Sequence, residues 1–527
     1  MRVSINCLLI IALLQGCTLE VKESPEPAQA EQESERLLNE RRMQAQLHRS
    51  RALEFEQQGD FLNAAGERVS YLSYLDRDAD ISADTVKIWD NLNRADKNAL
   101  VRRYRSDPQA FSGWLELAFI RRTMLADPGT LERALASWQE NYPAHPANPA
   151  IVGQVREAGR LFNRQVEKIA LLLPMRGALR EAAEAVRDGF ISAWYNSGVD
   201  RPPIRIYEAN SLNIEQAYAQ AVAEGADFIV GPLEKQALAK LSARAGLSVP
   251  TLALNQVQVA PDMAAGASAD ILPALMQFSL SPEDEAHQVA ERARADGYGR
   301  ALVIMPDDEW GRRLHSAFRE GWSASGGVIL ETTVYEPRTN DFGAPIKQML
   351  NVDGSEFRTR RLRQALSRTL NNRARRRQDA DMIFMAAFPI AGRQIIPQLR
   401  FHGAGRLPVY ATSHIFTGNV NPAADADMNG VVFPDLPWIL APGGQISPIK
   451  TLIDHNFKAA STAYQRLHAF GADAFNLIPH LARLAYEDEA EFRGATGALS
   501  MSDDGRITRK LPWGKIINGK PELLGGS

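Results

Sequence analysis

Ile169-Ala170-Leu171-Leu172-Leu173-Pro174 decides the fold class, because five apolar residues in a row, stopped by proline, are not one face of an amphipathic element. Such a run reads as a strand buried on both faces, as inside a parallel sheet covered by helices. A helix follows with Val186, Phe190, Ala193 and Trp194 on one face, then a strand at 204–207, a helix through Ala217 and Val222, a strand at 228–231, a helix at 238–245 and a strand at 250–254. Strand and helix in alternation predict a doubly wound parallel α/β sheet.

The same order then returns. Ala301-Leu302-Val303-Ile304-Met305-Pro306 repeats the apolar run and its proline 132 positions on, and Phe318-Arg319-Glu320-Gly321-Trp322 answers Val186-Arg187-Asp188-Gly189-Phe190 at the same offset. Ile204-Arg205-Ile206-Tyr207-Glu208 is answered by Thr332-Thr333-Val334-Tyr335-Glu336, Ala226-Asp227-Phe228-Ile229-Val230 by Ala380-Asp381-Met382-Ile383-Phe384, and Val249-Pro250-Thr251-Leu252 by Leu407-Pro408-Val409-Tyr410. Ordered matches of this kind predict two similar lobes facing each other, with a ligand or partner where strand carboxyl ends meet across a cleft. Arg176, Glu234, Asn255, Asp307 and Ser413 follow such strand ends and are the candidate cleft-lining residues.

The offset grows from 128 at the tyrosines to 154 at Ala226 and Ala380, so the second lobe carries about 26 extra residues between Asn351 and Asp379. Residues 357–377 hold nine arginines and no acid, and a helical phase sets Leu362, Leu366 and Leu370 on one stripe. Three readings are open: a solvated amphipathic helix, a face for an acidic partner, or a contact with anionic glycan or lipid. Arg373, Arg375, Arg376 and Arg377 are the candidate partner contacts.

Toward the N-terminus, residues 35–150 read as helix throughout. A Gly59-Asp60 break precedes an apolar helix bearing Phe61, Ala64, Ala65, Val69, Leu72 and Leu75, in the manner of a tetratricopeptide-like helix pair. Breaks at Ser106-Asp107-Pro108 and Ala126-Asp127-Pro128 separate helices carrying Trp114, Leu115, Leu117 and Ala118, then Leu131, Leu135 and Trp138. A helical solenoid is expected, with a plain bundle as the other outcome. Three prolines between Tyr142 and Pro149 close it. The expected organisation is therefore a signal peptide at 1–16, a tether at 17–34, a helical domain at 35–150, a linker at 151–165 and the two-lobed body at 166–527.

The front end sets the compartment. Arg2 gives a positive start, and residues 5–14 are apolar but too few to span a bilayer as a helix. The stretch ends in Leu14-Gln15-Gly16-Cys17, which resembles a bacterial lipobox, so Cys17 is the expected lipidation site. Thr18 stands where inner-membrane retention favours Asp, which implies delivery to the outer membrane. The tether that follows is rich in Pro, Glu, Gln and Ser. The chain has two cysteines, Cys7 and Cys17, and Cys7 leaves with the signal peptide, so neither an internal disulfide nor a thiolate metal site is expected.

The 527 residues are too many for one core, and the net charge of -3 makes no case for nucleic acid. Catalytic patterns are missing: there is no Gly-x-Ser-x-Gly, no His-Glu-x-x-His and no P-loop. Ser413 and His414 are neighbours, a poor placement for a nucleophile and its base. Asp307-Asp308-Glu309 stands where acids favour a helix N-terminus. A binder is expected, not an enzyme, with no cofactor and no metal.

Several stretches together resemble the LpoA family of outer-membrane lipoproteins that activate a class A penicillin-binding protein. They include Trp138-Gln139-Glu140-Asn141-Tyr142-Pro143-Ala144-His145-Pro146-Ala147, Gly225-Ala226-Asp227-Phe228-Ile229-Val230-Gly231-Pro232-Leu233, Gly494-Ala495-Thr496-Gly497 and Arg509-Lys510-Leu511-Pro512-Trp513. The resemblance covers nearly the whole mature chain in family order. It implies a helical N-domain, a body like a type I periplasmic binding protein, and an inner-membrane peptidoglycan synthase as partner, with peptidoglycan as a further candidate contact. It also implies that the partner's transpeptidation is stimulated. Amino-acid-binding relatives of that body offer hydroxyls after the third and fourth strands. Here those places read Leu233-Glu234-Lys235-Gln236 and Asn255-Gln256-Val257, and Glu234 would repel a ligand carboxylate. A lipid-anchored solute receptor for an amino-acid or peptide transporter is the alternative, since the lobed fold serves both.

Overall fold

The computed structural model describes residues 27–525 apart from 77, 108–109, 199–200, 245, 259–271, 367–373, 445, 458–461, 488 and 503. The chain forms two compact units. One comprises residues up to Phe119 with Leu135–Val152, and the other comprises Ile120–Ala134 with Gly153–Ser527.

In the first unit, helices Pro27–Gln58 and Phe61–Ser73 form an antiparallel pair, and Asp60 caps the second by accepting from the Asn63 amide. Ala52, Ala64 and Ala65 are fully buried, which lets the two helices approach closely. Arg68, only 2% exposed, ties three helices together: it donates to Glu56 at 2.7 Å and to Asp84 at 3.3 Å. The Trp-to-Pro motif forms an aromatic knot. The Trp138 indole donates to the Gly113 carbonyl at 2.9 Å, and His145 packs edge-on against Trp114 and Trp138.

The second unit holds two sheets. The first is built from β1 (Ile169–Leu173), β2 (Ile204–Glu208), β3 (Phe228–Val230), β4 (Thr251–Ala253) and β5 (Leu275–Phe278), all parallel. The second contains β6 (Arg300–Pro306), β7 (Val328–Tyr335), β8 (Met382–Met385), β9 (Val409–Ala411) and β10 (Val432–Pro434), again parallel. The chain then returns to the first sheet for β11 (Phe492–Arg493), β12 (Ala498–Met501) and β13 (Arg506–Lys510), and to the second for β14 (Trp513–Ile517) and β15 (Lys520–Leu523). The orders are β11-β12-β13-β5-β4-β3-β1-β2 and β15-β14-β10-β9-β8-β6-β7. The two central strands explain the two apolar runs. Ile169, Leu171 and Leu173 face one core while Ala170 and Leu172 face the other, and β6 divides its residues in the same way.

Three stretches differ from the sequence expectation. The first helix begins at Pro27, inside the expected tether, because Ala, Gln and Glu after an N-terminal proline favour helix. The expected linker is the helix Ala150–Phe162, which buries Ile151, Val152, Val155 and Ala158 at helical spacing. The strands β5 and β10 to β15 are short and had no counterpart in the sequence reading. The insertion of the second lobe is where the offsets put it: Gly343–Met349 stands where the first lobe has the helix Ile214–Ala223, and Val352–Leu366 follows it before β8 as an extra helix.

Candidate functional site

The chain passes between the lobes three times, at 279–281, at 435–437 and at 511–512. Buried polar side chains join these crossings. Glu285, on the helix Pro282–Ala295 that follows the first, accepts from the Ser413 amide at 2.9 Å and from its hydroxyl at 3.1 Å. Gln288, one turn on, pairs with the third crossing as a strand would: it donates to the Arg509 carbonyl at 2.9 Å and accepts from the Leu511 amide at 3.0 Å. Arg466, on Gln465–Asn476, donates to both oxygens of Asp435 and to the carbonyls of Ser413 and Phe416. Arg509 is 4% exposed and lies 3.7 Å from Glu285, with no hydrogen-bond acceptor for its side-chain nitrogens among the described residues.

Burial governs the protonation of this knot. It pushes the Glu285 carboxyl above its ordinary range, against Arg509 and the donors of Ser413. It raises Asp435 against the pull of Arg466, and Asp473 to about 6 against the Thr496 and Ala495 donors. It lowers His414 to about 4, with the Arg466 charge acting in the same direction. The carboxylates among these groups have structural partners already, so the network joins the lobes.

Beside the first crossing an open pocket of about 590 Å³ is lined by Lys235, Asn255 and Gln256 from one lobe and Arg313 from the other. Two of its polar groups and the neighbouring Glu234 have partners within the protein. Arg313 pairs with Glu283 at 3.0 Å. Glu234 accepts from the Ser211 amide at 2.7 Å, and Asn255 bridges the Leu233 carbonyl and the Gln256 amide at 2.8 Å each. On the facing lobe Trp310 stacks on Phe388 at 4.6 Å, with His414 beside both.

Of the sequence candidates, Asn255 lines this pocket, while Glu234 lies in the chain between two of its lining residues, Leu233 and Lys235, and is not itself one of them. Arg176 is exposed after β1, and Asp307 pairs with Arg312 at 3.1 Å after β6. The neighbouring Asp308 caps the next helix by accepting from Gly311. Ser413 is 1% exposed and hydrogen-bonded to Glu285, so it belongs to the buried knot and not to the rim. Arg376 donates to the Gly403 carbonyl, and Arg377 makes a two-point pair with Asp379. Arg375 is exposed, its backbone held by Ser355. Cys17 and Arg373 lie outside the described residues. The sequence reading gives no role to Glu285, Asp435, Arg466 and Asp473, and names Arg509 only within a stretch that carries the family resemblance. One signal was available: an acid inside the helical pattern Glu285-Ala286-His287-Gln288-Val289-Ala290 falls on the same face as Val289.

Comparison with known proteins follows from this arrangement. Residues 9–519 match the family described as "LppC putative lipoprotein". A curated relative from Photobacterium profundum, named penicillin-binding protein activator LpoA, is 27% identical over 464 residues, which are 87% of this chain and 73% of the relative. The crystal structure of full-length LpoA from Haemophilus influenzae is 25% identical with a TM-score of 0.57, covering 92% of this chain and 82% of that one. The LpoA C-domain from the same organism, described as a regulator of PBP1A, is 26% identical with a TM-score of 0.51. The match covers 68% of this chain and all of that domain.

Proposed function

The chain belongs to the LppC lipoprotein family, and from that premise we propose that it is an outer-membrane lipoprotein, anchored through Cys17, that binds a class A penicillin-binding protein and stimulates its transpeptidation. One observation carries the reading above others. The likeness to full-length LpoA extends over 92% of the chain, a share that takes in the helical unit as well as the lobes. A solute receptor needs only the lobes. The cleft supports the same reading: Glu234 and Asn255 are hydrogen-bonded to the backbone of neighbouring loops, where a receptor would turn such groups toward a solute. The activator role needs no reaction on this chain, and we assign none to it.

The test uses the mature chain without its anchoring cysteine, residues 18–527, with a purified class A synthase on lipid-linked substrate and no added small ligand. Cross-linked muropeptides should increase. Unchanged cross-linking, together with tight binding of an amino acid or peptide, would replace this reading with the receptor.

A further inference from the structure

The helix Val352–Leu366 is anomalous for a folded protein. Val352 is its one buried residue, and from Phe357 to Leu366 every residue except Thr359 is exposed. An isolated helix of this length is marginal in water, since helices in proteins draw most of their stability from a packed face. Three large apolar side chains stand in solvent on it: Phe357 at 54% exposure, Leu362 at 50% and Leu366 at 52%. Arg358, Arg360 and Arg361 have no carboxylate partner among the described residues, although this protein pairs many of its other arginines. The whole helix belongs to the stretch that the second lobe has and the first lacks.

We propose that this helix is the surface that docks on the synthase, and that the face receiving it is an apolar groove rimmed by carboxylates. The proposal rests on the activator reading above. Charge selects the occupant, since residues 357–366 of this helix contain four arginines, no acid and no lysine. Arginine without lysine favours planar two-point recognition of carboxylates over diffuse attraction to a charged surface. The geometry argues against a bilayer. A helix lying in a membrane interface separates one apolar face from one polar face. At 100° per residue, Phe357 instead points away from Leu362 and Leu366, with Arg361 and Arg358 between them. A side chain presented on each side suits insertion between protein walls. The cluster at Arg376 and Arg377 is not part of this surface, because both guanidinium groups are bound within the lobe.

The test compares the mature chain with two triple variants, Arg358→Ser/Arg360→Ser/Arg361→Ser and the same positions changed to Lys, and with Leu362→Ser/Leu366→Ser. Affinity for a purified class A synthase is measured across a salt series, alongside phosphatidylglycerol vesicles and the chain's own oligomeric state. All the changes are exposed, so the thermal midpoint should stay where it is. The Ser triple should bind the synthase at least tenfold more weakly, with a flatter salt dependence. The Lys triple should keep the salt slope and lose part of the affinity, and the Leu pair should weaken binding with the slope unchanged. Variants that bind as the parent does would overturn the docking helix and leave the activator reading standing. So would changes confined to vesicle binding or to self-association. A parent chain that does not bind the synthase overturns both.

Discussion

Arg466 and Asp435 make a two-point ion pair across the second lobe crossing, Nε to Oδ1 at 3.0 Å and Nη2 to Oδ2 at 2.6 Å. The Asp435 side chain is fully buried, and the same Nη2 also donates to Ser413 and Phe416 in the second lobe. Removing the arginine strands a buried carboxylate, which costs far more than the pair contributes when intact. Arg466→Met should therefore destabilise the chain by about 3–5 kcal/mol. Adding Asp435→Leu should restore much of the loss. Denaturant unfolding of the single and double variants checks this, and an unchanged single-variant midpoint would sink it.

Asp473 gives a pH signature of opposite sense to a surface salt bridge. It accepts from the Ala495 and Thr496 amides and from the Thr496 hydroxyl, yet burial raises its pKa from 3.8 to about 6. A raised carboxyl binds its proton more tightly in the folded chain, so its contribution is complete below the unfolded value and fades as pH rises through the folded one. Between pH 6 and 4 the parent should gain on the order of 2–3 kcal/mol from this group. Asp473→Asn loses an acceptor for one amide but cannot ionise, so its curve should lack that gain and its deficit against the parent should be largest at pH 4 and shrink as pH rises through 6. The measurement is the difference between the two stability curves, and a difference that is constant across the window would refute the assignment.

The doubly wound architecture was legible because a strand buried on both faces has few other readings, and because the second lobe repeats the first. Ile169 to Leu173 feed two cores alternately, which an uninterrupted apolar run requires. The buried network at the lobe crossings was not legible. Glu285, Asp435, Arg466, Asp473 and Arg509 are scattered over more than two hundred positions, and each one taken alone looks like a solvated charge. The helix Ala150–Phe162 was missed for a different reason. Three prolines stand directly before it and mask the helical spacing of Ile151, Val155 and Ala158. The short strands β10 to β15 owe their form to neighbours already in place, with little local pattern to announce them.

The anchor has a direct test. If Cys17 carries the lipid, Cys17→Ser should abolish fatty-acid labelling and free the chain from the outer-membrane fraction. Activation of the synthase in solution should survive the change, since it is a property of the folded body. Loss in cells with retention in the tube would assign the lipid to location alone. Labelling that persists in the Ser variant would remove Cys17 from the account.

Gly189 and Gly471 face each other where Arg180–Asn196 crosses Gln465–Asn476, and a Cβ on either would run into a carbonyl of the opposite helix. For Gly189 that carbonyl is His468, and for Gly471 it is Val186. Alanine is ordinarily better than glycine inside a helix by about 1 kcal/mol. Here the obstacle is backbone, which has no alternative rotamer, so overpacking outweighs the propensity gain. Gly189→Ala should cost about 3 kcal/mol, the upper end for a forced core contact. The second lobe supplies an internal control. Gly321 holds the matching place in Phe318-Arg319-Glu320-Gly321-Trp322, but its Cβ would meet the His287 ring at 3.0 Å and the Ala290 side chain at 3.3 Å. A ring can turn aside where a carbonyl cannot, and the Ala290 methyl needs to give by only a few tenths of an ångström, so Gly321→Ala should cost clearly less than Gly189→Ala. Unfolding midpoints for the two variants decide the point. Equal costs would mean that the glycine serves the same purpose in both lobes and that the backbone contact at Gly189 is not what demands it.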